Sequence, residues 1–142
     1  MFRRALLLLL LALGPALLTG WFHPRHPDWS EAWNPIASVP LANLSSLPAA
    51  PILWIDAREP ADYARSHLPG ALSLSETTWE TSLPAVIEAW LPEQRVVVYC
   101  DGGGCLASRA TARRLRRELG LTRIVILKDG WAALVAAGKA SP

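Results

Sequence analysis

The chain has 142 residues, enough for one ordinary domain and too few for two with a linker. It is 51% apolar and 18% charged, which excludes a disordered chain and a multi-span membrane protein. Fourteen Lys and Arg against twelve Asp and Glu leave a net charge of +2, too small for a general nucleic-acid binder, and two cysteines with three histidines make neither a disulfide framework nor a zinc set. No metal and no organic cofactor is implied.

The first 22 residues read as a membrane-directing segment. Phe2, Arg3 and Arg4 precede residues 5–18, nine of which are Leu, and Gly14-Pro15 interrupts the run. A cationic start followed by an apolar stretch is the pattern of a secretory signal or an uncleaved anchor. Neither Gly14 nor Gly20 makes a good cleavage site, because Pro15 follows the first and Leu18 lies at −3 of the second. Arg3 and Arg4 are expected to stay inside, which places the rest of the chain on the extracytoplasmic (periplasmic) side.

Residues 23–50 read as a Pro- and Trp-rich linker, with a short helix at Trp29 and Trp33 and order only where it packs. The domain is expected over residues 51–140. Its elements follow in order: a strand over residues 52–55 ending at Asp56, a helical turn over 60–66 with Pro60 near its start, a turn at Pro69-Gly70, and a short strand over 71–74. A helix over 83–91 stops at Pro92, and residues 96–99 form the clearest buried strand, ending at Cys100. A long helix over about 105–119 closes at Gly120. A second buried strand spans 124–127, and a last helix begins at Gly130-Trp131.

Short apolar strands without alternation, separated by helices, indicate an α/β domain: a mainly parallel open sheet covered by helices on both faces. Sites in such sheets lie where strands end and helices begin. Three strand ends qualify: Asp56 to Arg58, Cys100 to Cys105, and Lys128 to Gly130.

The cysteine loop carries the chemistry. Gly102, Gly103 and Gly104 permit backbone N–H groups to turn inward, and with the following helix N-terminus they form an anion cradle over Asp101 to Leu106. A thiolate at Cys100 would be stabilised there. The bland alternative is a small buried hydrophobe at a strand end. On the long helix, Ala107, Ser108, Thr111, Ala112, Leu115 and Leu119 share one face, while Arg109, Arg113, Arg116 and Arg117 lie opposite, with Arg114 at the edge. The Arg face reads as solvated, with docking of an acidic partner or anionic headgroups as its alternative. Of these helix arginines only Arg109, in the first turn, is close enough to the loop to reach an anion there.

These residues carry a family likeness. Asp56-Ala57-Arg58-Glu59, Tyr63 and Ser66 to Ala71 resemble the first signature of rhodanese-like domains, Val96 to Cys100 with its Gly loop resembles their active-site strand, and Lys128 to Trp131 resembles their closing Gly-Gly-Trp element. The likeness covers about residues 50–138. It implies a rhodanese-like fold and a sulfurtransferase in which Cys100 takes a sulfane sulfur from a small donor, carries it as a persulfide and passes it to a thiol acceptor or cyanide. Asp56 and Arg58 match a strand-end pair that ties loops together or supports substrate binding. Arg58, Arg109 and Lys128 are the cations placed to hold an anionic donor, and His67 matches a turn position rather than a base.

The chain also departs from that family. Where its members place a basic residue shortly after the cysteine, this sequence has Asp-Gly-Gly-Gly-Cys-Leu, and Asp101 disfavours an anionic donor such as thiosulfate. Phosphatases of this fold need Arg at the position of Leu106, which argues against that activity. Cys105 creates a Cys-x4-Cys pair that resolves a persulfide or closes a disulfide. Two alternatives to sulfur transfer follow: an extracytoplasmic thiol–disulfide redox protein using Cys100 and Cys105, and a non-catalytic binding module.

Overall fold

The structure, a computed structural model, describes residues 35–102 and 106–141. The expected membrane segment, the Trp29/Trp33 helix and Gly103, Gly104 and Cys105 lie outside them. Among the described residues no helix is long and apolar enough to cross a membrane.

The described residues form a five-stranded parallel sheet: β1 (Ser38–Val39), β2 (Ile52–Asp56), β3 (Leu72–Ser73), β4 (Arg95–Tyr99) and β5 (Ile124–Leu127), in the order β1-β5-β4-β2-β3. A 3-10 helix (Leu41–Ser46) and four α-helices connect them: α1 (Pro60–Arg65), α2 (Trp79–Ala89), α3 (Leu106–Leu119) and α4 (Gly130–Ala136). The α/β open sheet expected from the strand pattern is what forms.

β4 shows why its sequence does not alternate. All five residues are buried, because each face of the strand meets its own core. Val96 and Val98 point into a cluster with Leu53, Ile55, Trp79, Val86, Ala112 and Leu115, beneath α2 and α3. Val97 and Tyr99 point the other way, among Leu44, Leu68, Leu127 and Leu134, beneath the 3-10 helix and α4. The register pairs Trp54 with Val97 and Asp56 with Tyr99. The carboxyl ends of β2 and β4 therefore finish side by side.

Three elements differ from expectation. The sheet takes in residues that proline content had assigned to a spacer: β1 pairs with β5, Ser38 against Ile126, and Leu44 of the 3-10 helix is buried in the second core. Two residues are too short to show a period, and only pairing with β5 makes them a strand. The third strand is two residues rather than four. Helix α2 begins at Trp79, four residues early, and runs through Pro84. A proline inside a helix loses an N–H bond to the preceding turn. The first turn holds because Trp79 is 2% exposed and its indole N–H donates to Glu118 at 3.1 Å.

Candidate functional site

At the carboxyl edge of the sheet, backbone bonds gather the three strand ends. The Ala57 N–H donates to the Tyr99 carbonyl at 2.8 Å, and the Trp131 N–H donates to the Cys100 carbonyl at 2.6 Å. The Ala132 N–H reaches the Asp101 carbonyl at 3.3 Å. Two N–H groups at the start of α4, which have no partner within their own helix, are thus satisfied by the cysteine loop. The approach is so close that a Cβ on Gly130 would lie 1.9 Å from the Cys100 carbonyl oxygen, and Gly130 also has a φ of +45°. Only glycine fits there.

Cys100 sits directly beyond β4 and is 2% exposed. It is disulfide-bonded. The sequence contains one other cysteine, Cys105, which lies outside the described residues. The Cys100 Sγ is 3.2 Å from the Ser108 Oγ. A disulfide sulfur has no proton, so the hydroxyl is the donor. Ser108 was legible as part of the buried face of α3, but nothing in its spacing identified it as a partner of the sulfur. Gly102 presents its carbonyl oxygen, 4.0 Å from Sγ. The other two glycines of the expected cradle, Gly103 and Gly104, lie outside the described residues.

The second strand end is closed upon itself. Arg58 grips Asp56 with three side-chain bonds, Nε to Oδ1 at 3.0 Å and to Oδ2 at 3.2 Å, and Nη2 to Oδ2 at 2.7 Å. The Arg58 N–H also donates to Asp56 Oδ1, and Nη2 donates to the Ser66 carbonyl at 2.7 Å. Both side chains are buried, at 4% and 0% exposure. The guanidinium lies 4.0 Å from the centre of the Trp131 ring and 5.9 Å from that of Tyr99, and the Tyr99 and Trp131 rings stack with centres 6.3 Å apart. Burial disfavours the Arg58 charge, but the hydrogen bond to Asp56 and its charge more than offset this, and the pKa is raised. Tyr99 is pushed up as well, first by burial and then by the Asp56 charge. Arg58 therefore serves as a tie between β2, the turn at Ser66 and α4, with Nε and Nη2 committed to protein acceptors.

The remaining expected residues lie at the surface or in a neighbouring turn. Asp101, Arg109 and Lys128 are exposed, and Leu106 is 78% exposed. His67 donates through Nδ1 to the Tyr63 carbonyl and stacks on the Tyr63 ring, while the Tyr63 hydroxyl donates to the Ala71 carbonyl at 2.7 Å. Both belong to the turn before β3. Helix α3 buries Ser108, Thr111, Ala112 and Leu115, as its periodicity requires. Among the described residues no three His, Cys, Asp or Glu side chains cluster as metal ligands.

Comparison with known proteins agrees with this fold. The family model of the rhodanese-like domain matches residues 41–137. The BH2092 protein of Bacillus halodurans superposes with a TM-score of 0.59 at 20% identity, over 80% of this chain and 86% of that one. A thiosulfate sulfurtransferase of Pseudomonas aeruginosa superposes with a TM-score of 0.58 at 22% identity, over 75% of this chain but only 19% of its own length. A protein of unknown function from Rhodopseudomonas palustris, described as a possible tyrosine phosphatase, has a TM-score of 0.53 at 23% identity, over 78% and 87% of the two chains. At these identities the likeness is one of fold. No curated protein matches the chain.

Proposed function

Since the chain belongs to the rhodanese-like domain family, we propose that it is a sulfurtransferase in which Cys100 carries a sulfane sulfur as a persulfide. The position of Cys100 carries the reading: a buried cysteine at the carboxyl end of the central strand, where sites of open α/β sheets form. The disulfide is first reduced by two equivalents of an external thiol, which leave as their own disulfide. The Cys100 thiolate then attacks the sulfane sulfur of the donor, the donor's S–S bond breaks, and its remaining sulfur leaves with the electron pair. An acceptor thiolate, or cyanide, removes the outer sulfur and returns the Cys100 thiolate. Arg58 is committed to Asp56 and Ser66, and Asp101 adds negative charge next to the cysteine, so a low-molecular-weight persulfide suits the site better than thiosulfate. Leu106 offers no cation to a phosphate, which argues against phosphatase chemistry.

A second reading is favoured by the disulfide itself: Cys100 and Cys105 cycle as a thiol–disulfide pair. Either chemistry is proposed to operate outside the cytoplasm, where disulfides persist, with residues 1–22 as signal or anchor.

Intact-mass spectrometry of the reduced, desalted full chain after exposure to a low-molecular-weight persulfide separates the two. Sulfur transfer predicts a gain of one sulfur atom, removable by cyanide, absent in Cys100→Ser and retained in Cys105→Ser. A protein that gains no sulfur but re-forms its disulfide, losing two hydrogens, supports the redox reading instead.

A further inference from the structure

Helix α3 sets a buried hydroxyl against the reacting sulfur. Ser108 is 2% exposed, lies in the first turn of α3, and holds its Oγ 3.2 Å from Cys100 Sγ. The same helical face buries Thr111, Ala112 and Leu115, so core packing fixes which way Ser108 points. A disulfide sulfur is a weak acceptor and gains little from this bond, whereas a thiolate in the same place would accept a charge-assisted one. From Asp101 through Ala107 the sequence supplies no Lys or Arg, and Arg58 is committed to Asp56 and Ser66.

We propose that Ser108 is the hydrogen-bond donor that stabilises the Cys100 thiolate, in place of a cation in the loop. The bond acts on both faces of the chemistry. When an external thiolate attacks the sulfur joined to Cys100, the S–S bond breaks, a mixed disulfide forms on the attacked sulfur, and Cys100 departs with the electron pair. When the Cys100 thiolate takes a sulfane sulfur, the same pair forms the new S–S bond. Ser108 faces the charged sulfur in each case and transfers no proton. The inference rests on Cys100 reacting as a thiolate, which sulfur transfer and disulfide exchange both require.

The test uses the full chain carrying Cys105→Ser, which leaves one thiol, and follows alkylation by iodoacetamide against pH by intact mass. With Ser108 in place the rate should rise with a midpoint below the free-cysteine value of about 8.5. Adding Ser108→Ala should raise the midpoint by about one pH unit, slowing alkylation about tenfold at pH values below it while keeping the alkaline plateau. Ser108→Thr, which retains a hydroxyl, should restore the midpoint, and Ser108→Val, which matches threonine in shape without its hydroxyl, reads the same loss should the alanine variant not fold. An unchanged midpoint, or a shift that threonine does not reverse, overturns the proposal. Sulfur uptake is read separately by mass. A shifted midpoint in a protein that takes up no sulfur upholds Ser108 and removes sulfur transfer, and sulfur uptake without a shift does the reverse.

Discussion

Arg58 and Arg114 are built from the same parts and placed in opposite surroundings. Each grips carboxylates and lies over a tryptophan, Arg58 at 4.0 Å from the Trp131 ring centre and Arg114 at 4.2 Å from that of Trp79. Arg58 and Asp56 are sealed from water at the carboxyl edge of the sheet. Arg114 reaches Glu118 at 2.7 Å and Glu80 at 2.9 Å, but the Glu80 side chain is 84% exposed. Water screens the outer cluster, while the inner one has exchanged solvent for a fixed set of protein partners. The same chemistry therefore organises the site in one region and decorates a helix in the other.

The largest expected effect comes from breaking the inner pair. Asp56→Ala leaves the Arg58 guanidinium buried without its carboxylate and should lower the unfolding free energy by about 3–5 kcal/mol, measured by urea denaturation. Replacing both residues, Asp56→Ala with Arg58→Met, should recover more than half of that loss, because no uncompensated charge is then buried. If the single variant is as stable as the parent, the inner cluster does not differ from the outer one.

An intermediate effect follows from Tyr99, which packs against the inner pair. Its pKa is raised by burial and by the Asp56 charge, so the folded state keeps the proton that an unfolded tyrosine releases near the ordinary value of 10.0. The sign is fixed by linkage: the contribution is fully present below pH of about 10 and is lost as pH rises through the folded pKa. Thermal unfolding should show a Tm that falls above pH of about 10, and Tyr99→Phe should flatten that fall, even though it removes the bond from the Leu68 N–H to the Tyr99 hydroxyl.

The smallest effect belongs to the outer cluster. Arg114→Met, which keeps an apolar stem over Trp79, should shift Tm by no more than about 3 °C, and the difference should shrink in about 1 M salt. The Arg114 hydrogen bond lowers the Glu118 pKa. Any contribution from this group is therefore present above the ordinary carboxylate value and lost as pH falls through the folded one.

Where the sequence was informative, a local rule sufficed. Residues 96–99 could only be a strand buried on both faces, and the buried stripe of α3 repeats at helical spacing. Gly130 was readable as the start of the last helix, but its necessity was not: the 1.9 Å approach to the Cys100 carbonyl depends on two strand ends meeting. β1 was missed because its two residues have no period of their own and become a strand only against β5. The start of α2 was missed because Pro84 marks a boundary by local rules, while Trp79 is held by contacts distant in sequence.

The chain's sequence by itself determined the parallel α/β sheet, the place of Cys100 at the end of a buried strand and the two-faced character of α3, because periodicity and strand length are properties of adjacent residues. Tertiary structure alone decided that Arg58 reaches the Ser66 carbonyl and the Trp131 ring, and that the Cys100 carbonyl meets Gly130 and the Trp131 N–H. Those facts depend on residues brought together from the ends of β2, β4 and β5, and a spacing in sequence does not encode a distance across a sheet.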